Sequence, residues 1–90
     1  MSTAFVTNVI SIRGKSYTVS EMDSATMAQV RKMLETEKWK VEPYVTLKCC
    51  VDPKFASEAD VLKLPQIIAD KVSEEAFRLT KLDEGEAKND

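Results

Sequence analysis

Few side chains in this chain could do chemistry. The only cysteines, Cys49 and Cys50, are adjacent, and no histidine occurs among the 90 residues. Two thiols could in principle act as a nucleophile, a redox pair or metal ligands. Adjacent cysteines resist pairing with each other, because a disulfide between neighbours strains the intervening peptide. Two thiols also need carboxylates or a second chain to complete a zinc site. Without an imidazole, any nucleophile would have to rely on a lysine or carboxylate base. Both cysteines are therefore expected to be small apolar residues on a helix in a reducing setting. Glu35 with Glu37, and Glu74 with Glu75, are close in sequence. Neighbours on a helix diverge around its axis, so these carboxylates are expected on solvated faces and not as an acid–base pair. Two glycines cannot build a phosphate-cradling loop, and Gly14-Lys15 reads as a hairpin turn. The expectation is a protein with no enzyme activity, no cofactor and no metal.

Length and charge narrow the class further. Ninety residues make one small domain, and a chain of this size buries only roughly two-thirds of its unfolded surface. Thirteen basic and fifteen acidic residues leave a net charge of −2. That balance lacks the basic face a nucleic-acid binder needs, although Arg13, Lys15, Arg31, Lys32, Lys38 and Lys40 make the first half slightly positive. No apolar run approaches the roughly 20 residues of a membrane span, and residues 1–10 lack a basic start for a secretory signal. The expectation is no nucleic acid, no membrane and a cytoplasmic setting.

The elements that position these residues follow from periodicity. A β-hairpin is expected over about 5–20, with Val9, Ile12, Tyr17 and Val19 packing inward and a tight turn whose first central residue is Gly14. Asp23 or Ser24 caps a helix of about 24–37 carrying a stripe of Met27, Val30 and Leu34. Pro43 opens a second helix over 43–51, with Tyr44, Leu47 and Val51 on one face. Asp52-Pro53 then breaks the chain. Ser57 caps a short helix of 57–64, with Glu58 and Asp60 in its first turn. Pro65 starts a final helix of 65–82 that buries Ile68, Val72, Ala76 and Leu79. Residues 83–90, acidic and without an apolar anchor, are expected as a disordered tail. The fold class is mainly α, an α+β arrangement of an N-terminal hairpin and three to four short helices in a small bundle.

Two segments carry a family resemblance. The first is Ile12-Arg13-Gly14-Lys15-Ser16-Tyr17-Thr18-Val19-Ser20-Glu21-Met22, a hairpin leading into a helix. The second runs from Leu47 through Val51-Asp52-Pro53-Lys54-Phe55, Ser57-Glu58-x-Asp60-Val61-x-x-Leu64-Pro65 and on to Arg78-Leu79-Thr80-Lys81-Leu82. In order, spacing and overall length the chain resembles the phage tail assembly chaperones of long, non-contractile-tailed phages. The resemblance implies an assembly factor in the host cytoplasm, absent from the mature virion. Such a factor holds the tape measure protein and recruits the major tail tube protein around it. A head–tail or tail-completion structural protein, or a small nucleic-acid-binding regulator, stands as the alternative.

A chaperone of this kind needs apolar surface beyond its own core, offered to partner helices by adaptable side chains. Candidates are Met22, Met27, Met33 and Trp39, followed by Phe55 and Phe77. Met27 lies at stripe spacing and Phe55 is placed to plug the turn after Asp52-Pro53, whereas Met33 and Trp39 fall off the stripe. A small core and unpaired hairpin edges also suggest a homo-oligomer.

Overall fold

The computed structural model describes the backbone of residues 5–89 and the side chains of residues 5–81. These residues form an N-terminal hairpin, two α-helices, a short third strand that joins the hairpin's antiparallel sheet, and two further α-helices, a small α+β fold. Strands β1 (Thr7–Ile12) and β2 (Lys15–Ser20) make the expected hairpin. Its turn sits one residue earlier than predicted. Ile12 pairs with Lys15, so Arg13 and Gly14 are the central residues, with φ of +52° and +83°. Two left-handed residues make the type I′ turn, whose twist matches that of the strands. The far end of the hairpin locks this register: the Glu21 N–H donates to the Val6 carbonyl at 2.9 Å, and the Val6 N–H donates to the Glu21 carboxylate at 2.8 Å. Ile12, Tyr17 and Val19 face the core as expected, whereas Val9 points outward.

A third strand was not foreseen. β3 (Cys50–Asp52) pairs antiparallel with β2 through Val19↔Cys50 and Thr18↔Asp52, with a register shift between Thr18 and Val19. β2 is thereby central in the order β1-β2-β3. Three residues carry no readable period, and the apolar run through Cys49 and Cys50 resembles a helix end. The chain leaves this strand through a cis Asp52–Pro53 peptide.

Helix α1 (Ser24–Thr36) starts where predicted, with Asp23 Oδ1 accepting the Thr26 N–H at 2.7 Å. Hydrogen bonding from Thr26 holds the Asp23 carboxyl below its usual range. The inward face of α1 is Thr26, Val30 and Met33, not Met27, Val30 and Leu34. The helix is turned so that the expected stripe straddles the boundary of the core. After a 3₁₀ turn at Lys38–Lys40, α2 (Val41–Cys49) begins two residues before Pro43, which sits in the first turn where its missing N–H is harmless. Its buried residues are Val41, Val45, Thr46 and Cys49. The expected face of Tyr44, Leu47 and Val51 is half-buried at best, because Val51 has passed into β3.

Ser57 caps α3 (Glu58–Leu62) as the sequence predicts, although the helix is shorter than 57–64. The last helix, α4 (Gln66–Asn89), runs past the expected end at 82. The backbone of the predicted disordered tail is helical to Asn89, and Asp90 lies outside the described residues. Glutamate, alanine and lysine are good helix formers, and an established helix extends without a new nucleus. Ile68, Val72, Ala76 and Leu79 are all buried as predicted. Ile68, Val72 and Ala76 join the core of Val19, Met22, Val30, Met33, Val41, Val45 and the two cysteines. Each fully buried valine contributes about 1.5–3 kcal/mol relative to exposure. No helix among the described residues is long and apolar enough to cross a membrane.

The hairpin turn gives a direct test. A Cβ at Gly14 would meet nothing within 4 Å, so Gly14→Ala reports backbone strain alone and should cost about 1 kcal/mol in urea unfolding. Arg13→Asn, which suits the left-handed region better, should stabilise by about 0.5 kcal/mol. Unchanged midpoints for both variants would contradict the type I′ assignment.

Candidate partner-binding groove

The chain enters α1 along α4: the Met22 N–H donates to Thr80 Oγ1 at 3.0 Å, and the Thr80 hydroxyl donates on to the Ala76 carbonyl at 2.8 Å. From there α1 packs principally on α2, and α2 packs on α4. Helices α1 and α4 therefore share an origin but not a seam. A cleft of about 490 Å³ opens between them. Its α1 wall is Met27, Val30, Arg31 and Leu34, spaced at one helical face. Its α4 wall is Phe77, Thr80 and Lys81, with Glu21 at one end. The Lys81 ammonium stands 6.0 Å from the centre of the Phe77 ring, a cation–π arrangement that leaves the charge on the rim. Among the described residues, two cations and one carboxylate border this apolar cleft.

The six residues singled out from the sequence divide four ways. Met27 and Phe77 come together on opposite walls of this groove. Met22 and Met33 are buried in the core, which corrects their assignment as partner-binding residues. Met33 is inward because the Asp23 cap and the Met22–Thr80 bond set the rotation of α1. Phe55 is half-buried against the core after the Asp52–Pro53 turn, the plug its position suggested. Among the described residues Trp39 is the most exposed large apolar one at 74 %, and Leu62 follows at 68 %. These two lie apart from the groove, on a shallow hollow of about 150 Å³ shared with Pro43, Leu64 and Ala69. Lys40 sits 5.1 Å from the Trp39 ring and pairs with Glu37 at 2.8 Å.

Leu34, 44 % exposed, Arg31 and Lys81 are groove residues that the sequence reading did not select. The stripe of Met27, Val30 and Leu34 was the available signal. It marks the groove flank of α1 where a core face was expected.

Comparison with protein-family models, with curated proteins and with solved structures finds no match to this chain.

The remaining reactive groups are occupied or shielded. Burial pushes the Cys49 thiol up to about 12 and the Cys50 thiol up to about 11. The Cys50 thiol donates to the Pro53 carbonyl at 3.1 Å, and both thiols are free of disulfides. Glu75 accepts from Asn8 at 2.9 Å and pairs with Arg78, whose hydrogen bonds hold the carboxyl below its usual range. Glu74 and Glu75 both border a hollow of about 250 Å³ beneath β1, but Glu75 is committed to tying α4 to the sheet. No group of three or more histidine, cysteine, aspartate or glutamate side chains converges to hold a metal ion among the described residues.

The buried thiols set a pH dependence. Their folded values lie above the 9.0 of a free thiol, so their contribution to stability is complete below about pH 9 and declines towards pH 11–12 as only the unfolded chain ionises. Urea unfolding at pH 8 and pH 10.5 should show a larger loss for the wild type than for Cys49→Ala/Cys50→Ala. Equal losses, or fast alkylation of the folded protein at pH 8, would contradict thiol burial.

Proposed function

We propose that this chain is a tail assembly chaperone, a non-enzymatic factor that holds the tape measure protein in the host cytoplasm and recruits the major tail tube protein. The groove between α1 and α4 carries the reading. It offers the apolar side chains of Met27, Val30, Leu34 and Phe77, edged by Arg31, Lys81 and Glu21. Its natural occupant is an amphipathic helix with an apolar stripe and acidic residues beside it. A long helical tape measure protein would present many such stripes, each insoluble until covered. The sequence resemblance through the hairpin and the Asp52-Pro53 to Leu64-Pro65 stretch supplies the identity of the partner.

The walls suit transient capture. Met27 is unbranched and polarizable and so adapts to imperfect surfaces, and Phe77 supplies a large flat contact at low entropic cost. Binding of this type needs no fixed catalytic geometry. The cleft chemistry favours apolar contact with charge-steered encounter.

Co-expression with the tape measure protein tests the proposal. The wild-type chain should keep the tape measure protein soluble and co-purify with it, and purified virions should lack the chain by mass spectrometry. Leu34→Asp, at a half-open position that does not support the core, should weaken binding at least tenfold, equivalent to about 1.4 kcal/mol or more, with an unchanged circular dichroism spectrum. Full binding by Leu34→Asp and Phe77→Ala together would remove the groove from the mechanism. Stoichiometric presence in the virion would instead favour a tail-completion protein.

A further inference from the structure

Among the described residues the outer edge of β1 pairs with no other strand, the sheet order being β1-β2-β3. The register defines what it offers. Ile12 with Lys15 flanks a two-residue turn and forms a closely bonded pair, and so do Ile10 with Tyr17, Asn8 with Val19 and Val6 with Glu21. The alternating residues Thr7, Val9 and Ser11 therefore direct their N–H and C=O groups off the free edge. Helix α4 packs against the sheet and is tied to β1 by the Asn8–Glu75 bond, and no described strand pairs with that edge. Val9 is 59 % exposed, and Phe5 and Val6 are exposed beside it.

Edge strands that stay alone are usually blunted by lysine, proline, a bulge or an inward charge. The sequence Thr-Asn-Val-Ile-Ser-Ile has none of these, and its only register shift lies on the other side of β2. The strand is also self-complementary. Antiparallel pairing about Val9 sets Val9 against Val9 of a second copy and Thr7 against the second copy's Ser11, each pair exchanging both backbone bonds. The charges agree with this arrangement. Arg13 and Lys15 stand at the hairpin tip, and Glu21 stands beside Val6 at the opposite end. The antiparallel arrangement lays the tip of each copy against the Glu21 end of the other, with Arg13 opposite the second copy's Phe5. Parallel pairing would set the two basic tips together.

We propose that β1 is a dimerisation edge, on which a second copy of this chain adds its own β1 antiparallel across a two-fold axis at Val9, forming one continuous sheet. Of the groove residues the interface draws on Glu21 alone, at the groove's end, so the apolar walls stay free and each dimer presents two helix-binding grooves.

Analytical ultracentrifugation of the full chain tests this. The wild type should rise from one-chain to two-chain mass with concentration. Val9→Lys places the usual protective charge on the edge and should stay at one-chain mass, with the same circular dichroism and unfolding midpoint at low concentration. Val9→Cys gives a second readout: with Cys49 and Cys50 buried, mild oxidation should yield a covalent dimer, while Leu62→Cys should not. Leu34→Asp should leave the association unchanged, which separates this interface from the groove. One-chain mass for the wild type at high micromolar concentration, or two-chain mass retained by Val9→Lys, would overturn the proposal.

Discussion

Everything in this fold leans on α4. Its buried stripe of Ile68, Val72, Ala76 and Leu79 is the apolar surface that α2 and the sheet both need. Val72 and Ala76 are fully buried, and the small side chains of Ala69, Ser73 and Ala76 allow neighbouring backbones to come close. Polar ties at successive levels of α4 then fix what the apolar contacts leave free. The Thr46 hydroxyl, which bonds the Glu42 carbonyl at 2.8 Å, also lies 3.2 Å from the Ala69 carbonyl and joins α2. Glu75 holds β1 through Asn8, and Thr80 holds the backbone at Met22. Each bond adds modest net stability, and at Thr46 and Met22 a lost partner would leave a buried or half-buried polar group unsatisfied.

The groove is a consequence of that arrangement. Among the described residues the polar tie between α1 and α4 lies at the entry of α1, which then packs principally on α2, and a cleft opens between the two helices. Completing the core uses Val30 and Met33 from α1, so Met27 and Leu34 are left on the open flank. On the α4 side, Phe77 follows the fully buried Ala76 and sits at the margin of the stripe. The half-buried state of Met27 and Phe77 is thus set by helix rotation, not by a shortage of places to bury them.

Much of the core was legible because period alone determines it. Ile68, Val72, Ala76 and Leu79 recur at helical spacing and are buried, and Asp23 and Ser57 cap the helices they were expected to cap. What could not be read depends on contacts distant in sequence. The rotation of α1 is set by Thr80, far along the chain, so Met33 and Leu34 exchanged roles. β3 exists because β2 offers it an edge, and Cys50 and Val51 carry no local sign of that pairing. The turn shifted to Arg13-Gly14 because Val6 and Glu21 lock the far end of the hairpin. Of the candidate site, Met27 and Phe77 were legible as apolar residues, but their meeting across a cleft was not. Trp39 and Leu62 form an exposed pair only once α3 folds back beside the 3₁₀ turn.

The proposed function places an amphipathic tape measure helix between α1 and α4. Titration of the ¹⁵N-labelled chain with a tape measure helical segment, followed by amide chemical shifts, locates the contact directly. The largest shifts should fall at Met27, Arg31, Leu34, Phe77 and Lys81, with Trp39 and Leu62 little changed. Shifts concentrated at Trp39 and Leu62, or none at a saturating excess of the segment, would contradict the account.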